Sequence, residues 1–204
     1  MKRLWLILFV ISSVWGQDEI NQYFDIYPSS KGDNYTKLRH NVYGFSIDIP
    51  FDWTFRIVGN FPNDELIFFP EKMNLRVMSK EYENIMIANI SMIPELEGLS
   101  LEQACKATMV GKEKVYTGAN KKYRISKLTQ VKINDYEGYY YEFEIDSDTN
   151  PNLKVLEQLH FIKKGNEYRT ITIRGEKLFI KSKSKFYNNI LNTFKIFEPT
   201  IVLE

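Results

Sequence analysis

Short segments of period-two alternation, parted by turns of only a few residues, limit most strongly what this chain can fold into. Tyr139, Tyr141, Phe143 and Ile145 alternate with Tyr140, Glu142 and Glu144. Phe45, Ile47 and Ile49 alternate with Ser46 and Asp48. Successive side chains of a strand point to opposite faces, so each stretch reads as a strand with one apolar face. Pro50 cannot donate to a ladder and ends the first strand, and Phe51-Asp52 turn the chain. Thr54 to Val58 then reads as the returning strand, and Leu66 to Phe69 as a third. Ile85 to Ile93 is apolar on both phases, as in a central strand covered on both faces. Tyr123 to Ile133 is a further strand. Val155–Lys163 and Tyr168–Arg174 make a hairpin about Lys164-Gly165-Asn166-Glu167, where Gly and Asn tolerate positive φ.

Two segments switch to a helical period. Ser100 with Gln103 forms a capping box, each side chain satisfying an orphan backbone donor. Behind it Leu101, Ala104, Cys105, Thr108 and Met109 fall on one stripe. From Leu178 to Phe194, Phe179, Phe186, Ile190 and Phe194 repeat near a helical period, and Pro199 lies beyond. Strands, helix, strands and helix with hairpin-length connections predict an α+β fold: a central, mainly antiparallel twisted sheet with helices packed on it.

The N-terminus carries a different signal. Lys2 and Arg3 precede an apolar run, LWLILFVISSV, from Leu4 to Val14. Val14 and Gly16 supply small residues ahead of Gln17. This is the plan of a cleaved secretory signal over residues 1–16. The run is shorter than the roughly 20 residues a membrane-spanning helix needs. No cysteine sits near the cleavage point, so a lipid anchor is not supported. Residues 17–36 are polar and read as a linker or loosely packed arm, with Tyr23, Phe24, Ile26 and Tyr27 available to pin it. The domain proper is expected over 37–198, with a tail at 199–204.

Charge and cysteine use narrow the function. The chain has 27 Lys+Arg and 26 Asp+Glu, and loss of the leader removes two bases and no acids, leaving 25 against 26. Net charge therefore steers the mature domain to neither nucleic acid nor anionic lipid. The single cysteine, Cys105, cannot form an internal disulfide. The fold must stand on its apolar core, and 14 Phe, 13 Tyr and 3 Trp supply large buried areas for that purpose.

Catalysis needs titratable groups held together, and this chain offers few. Cys105 lies in the apolar stripe and reads as a small core residue. His40 precedes the first strand and is expected to be exposed. His160 faces away from Leu159 and Phe161 and reads as structural. No nucleophile elbow, zinc-protease helix or phosphate loop occurs. Neither a catalytic residue, a metal ligand nor a cofactor is assigned. Asp146, Asp148, Asn150 and Glu157 match positions 1, 3, 5 and 12 of a calcium loop. However, Pro151 stands where such a loop needs glycine to turn sharply. Its flanks are also strands, so a polar hairpin loop accounts for the same residues. Asn34-Tyr35-Thr36 and Asn89-Ile90-Ser91 match the glycosylation pattern. Tyr139-Tyr140-Tyr141 could stack bases, but Tyr140 shares its face with Glu142 and Glu144, which repel a nucleic-acid backbone.

With the strands placed, three stretches resemble one family. "YGFSIDIPFDW" resembles the opening strand of the PsbP-like family, named for an extrinsic subunit of the photosystem II oxygen-evolving complex. "YEGYYYEFEI" resembles a later strand, and "YNNILNTFKIF" its closing helix and strand, with Thr193 for the usual Ser. The likeness spans about Leu38 to Phe197. It implies an α/β/α sandwich with an antiparallel central sheet, a fold shared with a Ran-binding nuclear import factor and with bacterial envelope proteins. Members are mostly not enzymes, and the matching residues are structural. The photosynthetic role does not carry over, because the leader is a bacterial-type secretory signal. The expectation is an exported, periplasmic or secreted, non-catalytic domain that binds an envelope protein partner or stabilises an assembly. A small-ligand or metal-binding module with a groove between sheet and helix is the other reading. Trp53, next to the turn, is expected to close the end of the core rather than stack on a ligand.

Overall fold

The computed structural model describes residues 23–58, 65–70, 83–89, 96, 98–147, 150, 152–165 and 167–200. Twelve strands lie among these residues: β1 (Phe24–Pro28), β2 (Tyr35–His40), β3 (Phe45–Pro50), β4 (Trp53–Val58), β5 (Glu65–Pro70), β6 (Asn84–Asn89), β7 (Tyr123–Ile125), β8 (Thr129–Ile133), β9 (Tyr136–Asp146), β10 (Lys154–Lys164), β11 (Glu167–Glu176) and β12 (Lys195–Ile196). Helix α1 is Leu101–Gly118, α2 is Lys177–Ser182 and α3 is Ser184–Leu191. The strands form a four-stranded sheet, ordered β1-β2-β3-β12, and an eight-stranded sheet, ordered β4-β5-β6-β11-β10-β9-β7 with β8 also on β9. Every described pairing is antiparallel.

The register shows how alternation builds two cores. Tyr141, Phe143 and Ile145 of β9 share a face with Leu159 and Phe161 of β10. Ala104, Cys105 and Tyr116 of α1 seal that face. On the opposite face, Ile85, Ile87, Ile171 and Ile173 meet Phe45, Ile47, Phe55 and Phe68, together with Ile180 of α2 and Tyr187 and Ile190 of α3. The large sheet is thus covered by α1 on one side and by the small sheet with α2 and α3 on the other. This is the expected α+β arrangement of helices on an antiparallel sheet, extended by a second sheet.

Helix α1 begins where the capping box predicts. Ser100 Oγ accepts from the Gln103 N–H at 3.2 Å, and Gln103 Oε1 accepts from the Ser100 N–H at 2.9 Å. Glu102 in the first turn favours the helix dipole.

Other elements differ from the sequence expectation, each for a physical reason. Thr54–Val58 does not return beside Phe45–Ile49. β3 pairs with β2 and β12, whereas β4 pairs with β5 in the other sheet. The Pro50 turn is therefore a corner between sheets and not a hairpin. Part of the expected arm is strand: Phe24–Pro28 pairs with Thr36–His40, and Phe24 is buried. Tyr123–Ile133 is broken at Ser126. That residue donates its N–H to the Glu142 carbonyl at 3.0 Å and accepts the Glu142 N–H on its hydroxyl at 2.8 Å. One side chain thereby occupies the ladder position between β7 and β8. The C-terminal helical segment divides at Lys183, and Phe179 is 37% exposed instead of lying in the core with Ile190 and Phe194. Of Ile85–Ile93, the part beyond Asn89 lies outside the described residues, as does the leader.

Gly44 closes the small sheet. Its φ is +61°, and a Cβ there would sit 2.2 Å from the Phe197 carbonyl oxygen. The Gly44 carbonyl in turn accepts the Phe197 N–H at 2.7 Å, which brings the C-terminal segment against β3.

Candidate functional site

The residues most able to do chemistry are withdrawn from it. Cys105 is fully buried, and burial pushes its thiol up to about 12. A thiol in that state carries almost no thiolate near neutrality. Cys105 is expected to resist maleimide in the folded protein and to react fully once denatured; mass spectrometry of the two samples checks this, and labelling of the native protein would refute it. His40, expected to be exposed, is 3% exposed. Its ring lies 4.4 Å from those of Phe24 and Tyr43, and its Nδ1 accepts the Tyr43 N–H at 3.3 Å. Burial, with the charge of Arg169, lowers it to about 3. The β1 strand hides it, and the sequence did not place that strand. His160 is half-buried beside the Tyr140 ring at 4.8 Å, and burial lowers it to about 4 against the opposing pull of Glu142. Cys105 and His160 lie on opposite faces of the large sheet.

Polar clusters on that sheet are closed on themselves. Under α1, Glu157 is 2% exposed and pairs with Arg174. It also accepts from Lys112 Nζ at 2.9 Å and from the Tyr116 hydroxyl at 2.5 Å. On the other face Tyr140 donates to Glu142, which also takes the Gln158 amide at 2.8 Å and Lys181 Nζ at 2.7 Å. Lys177 joins Glu144 at 2.6 Å, so both lysines of α2 clamp it to β9. Glu83 takes the Tyr187 hydroxyl and Lys183 Nζ, the latter at 3.3 Å. These groups hold elements of the fold together.

The described residues of the loop with calcium-like spacing are held by partners within the protein. Glu157 is committed to Arg174 beneath α1. Asp146 pairs with Lys154, and Asn150 Oδ1 accepts the Asn152 N–H at 3.0 Å in an Asx turn. Asp148 and Pro151 lie outside the described residues. Asn34 is exposed at the turn into β2, whereas Ile90 and Ser91 of the second glycosylation pattern lie outside the described residues.

One surface differs from these. The outer face of the small sheet carries a groove of about 540 Å³ lined by Tyr27, Pro28, Lys37, Arg39, Ser46, Tyr136, Lys195, Ile196 and Phe197. Alternation in β2 turns Leu38 and His40 to the core and Lys37 and Arg39 outward. Across the ladder Arg39 lies opposite Ser46, and Ser46 opposite Lys195. The Arg39 guanidinium sits 4.1 Å over the Phe197 ring. The Tyr136 hydroxyl anchors β12, accepting the Ile196 N–H at 2.8 Å and donating to its carbonyl at 3.2 Å. Among the described residues, Lys37, Arg39 and Lys195 form no ion pair, and the buried Arg39 Nε has no hydrogen-bond partner. Among the described residues, no carboxylate lines the groove.

Sequence reasoning singled out none of these cations. The pattern Thr36–His40 places Lys37 and Arg39 on one side of a strand, but Lys195 joins them only through the pairing of β12 with β3.

Neither a protein family nor a curated protein matches the chain by sequence. Solved structures match by shape. The chain is similar to the solution structure of cyanobacterial PsbP (CyanoP) from Synechocystis sp. PCC 6803, with 10% identity, 86% of this chain and 93% of that one covered, and a TM-score of 0.54. A Bacteroides thetaiotaomicron protein matches at 12% identity over 78% of this chain and 47% of that one, with a TM-score of 0.49. The Saccharomyces cerevisiae Ran-binding protein Mog1p matches at 9% identity over 85% and 95%, with a TM-score of 0.46. The strand motifs and the likeness in shape to cyanobacterial PsbP lead to one conclusion: this chain has the PsbP-like fold.

Proposed function

We propose that the chain is an exported, non-catalytic binding domain that holds a protein partner in the cell envelope. The observation that carries this is the groove on the small sheet, where Lys37, Arg39 and Lys195 lie beside aromatic rings without an ion pair among the described residues, while Glu157 and Glu142 of the large sheet are paired with cations. Arg, Tyr and Phe are the residue types that anchor protein interfaces. The burial of Cys105 and the lowered histidines support a role without chemistry. The leader over residues 1–16 supports export, and no described helix is long and apolar enough to cross a membrane. The test is affinity capture from an envelope extract of the native host, using the mature protein and a Lys37→Glu, Lys195→Glu variant. A specific partner is expected with the first and not with the second. Absence of any partner, or secretion assays that leave the protein inside the cell, would overturn this reading.

A further inference from the structure

We propose that the groove binds an extended acidic segment of a protein, with carboxylates on alternate residues, and that Arg39 is its anchor. This deepens the binding reading above and rests on it. Lys37 and Arg39 are two residues apart on β2, which sets their Cα atoms about 7 Å apart. An extended peptide presents side chains on one face at the same interval, about 7 Å. A strand laid along β2 would therefore bring alternate carboxylates to Arg39 and Lys37. Lys195, two ladder steps across from Arg39, stands about 10 Å away at the far wall. A spread of this size suits a segment with separated charges better than one compact anion.

The electrostatics agree. Two carboxylates share this sheet face, Asp48 opposite Lys37 and Asp25 opposite Arg39, and each accepts hydrogen bonds from neutral groups. Asp48 is buried and accepts from the Ser29 hydroxyl at 2.6 Å. Asp25, opposite Arg39, accepts the Asn41 side-chain amide at 3.0 Å and the Tyr27 hydroxyl. Set against these two carboxylates, Lys37, Arg39 and Lys195 leave one positive charge in excess on the face, which favours an acidic partner. Contact with the Phe197 ring positions the Arg39 guanidinium, whose planar fork suits two-pronged recognition of a carboxylate. Tyr27 and Tyr136 offer apolar bodies at either wall for the intervening side chains.

Calorimetric titration of the mature protein with a short peptide of alternating glutamate and serine tests the proposal. Parallel titrations use the same residues in two blocks, inorganic phosphate, and vesicles containing phosphatidylglycerol. The alternating peptide is expected to bind, to bind better than the block peptide, and to weaken with added salt. Arg39→Gln and Lys195→Glu are each expected to weaken it about tenfold or more. Lys195 is exposed, so its variant keeps the proposal testable should Arg39→Gln fail to fold. Lys185→Gln, an exposed position on α3, is expected to leave binding unchanged. Binding indifferent to both groove variants, displacement of the peptide by phosphate at comparable strength, or binding to vesicles alone would overturn the proposal. Partner capture that persists without any peptide binding would overturn it too, while the broader binding reading would stand.

Discussion

Glu157→Ala is expected to destabilise the domain by about 3–5 kcal/mol, the usual cost of removing one member of a buried ion pair. Glu157 faces Arg174, Lys112 and the Tyr116 hydroxyl. Without it, the Arg174 guanidinium, whose side chain is only 10% exposed, loses this ion pair. The cost is the poorer compensation of a buried charge, not the worth of the pair itself. Glu157→Leu with Arg174→Met is therefore expected to recover most of the loss, since well-packed apolar residues often replace such pairs at little cost. Urea unfolding of the single and double variants measures both quantities. A single variant within about 1 kcal/mol of wild type would show that water already reaches the cluster.

Trp53→Ala is expected to cost about 3–5 kcal/mol, the range for deleting a buried large aromatic. Trp53 is 5% exposed and packs its indole against Phe186 of α3, with centroids 6.2 Å apart. It stands at the first position of β4, just past the corner between the sheets. Removing it opens a cavity where the two sheets and α3 meet. Trp53→Phe keeps most of the apolar area and is expected to lose much less. Thermal and urea unfolding check both variants; an unchanged melting temperature for Trp53→Ala would return this residue to the role of a surface binding group.

The elements themselves were largely legible, because their causes are local. Alternation in β9 and β10, the glycine turn at Gly165 and the capping box at Ser100 each act over a few residues. Errors arose where partners are distant. Nothing near Thr54 says that its strand joins β5 and not β3. His40 looked exposed because the strand that covers it, Phe24–Pro28, belongs to a polar segment with little apolar periodicity. Phe179 fits a helical period, yet the break at Lys183 turns it out of the stripe. The clusters about Glu157 and Glu142 were invisible for the same reason, since each draws on residues tens of positions apart.

The amino-acid sequence alone determined the α+β class, the secretory leader as an expectation, and the withdrawal of Cys105 into an apolar stripe. These follow from periodicity and composition, which are properties of neighbouring residues. Only the tertiary structure decided that the chain divides into two sheets at Pro50, that Glu157 belongs to a buried ion pair, and that Lys37, Arg39 and Lys195 share one groove. Those outcomes depend on which strands lie side by side. Pairing is set by the burial of whole faces against one another, an energy that no single segment carries.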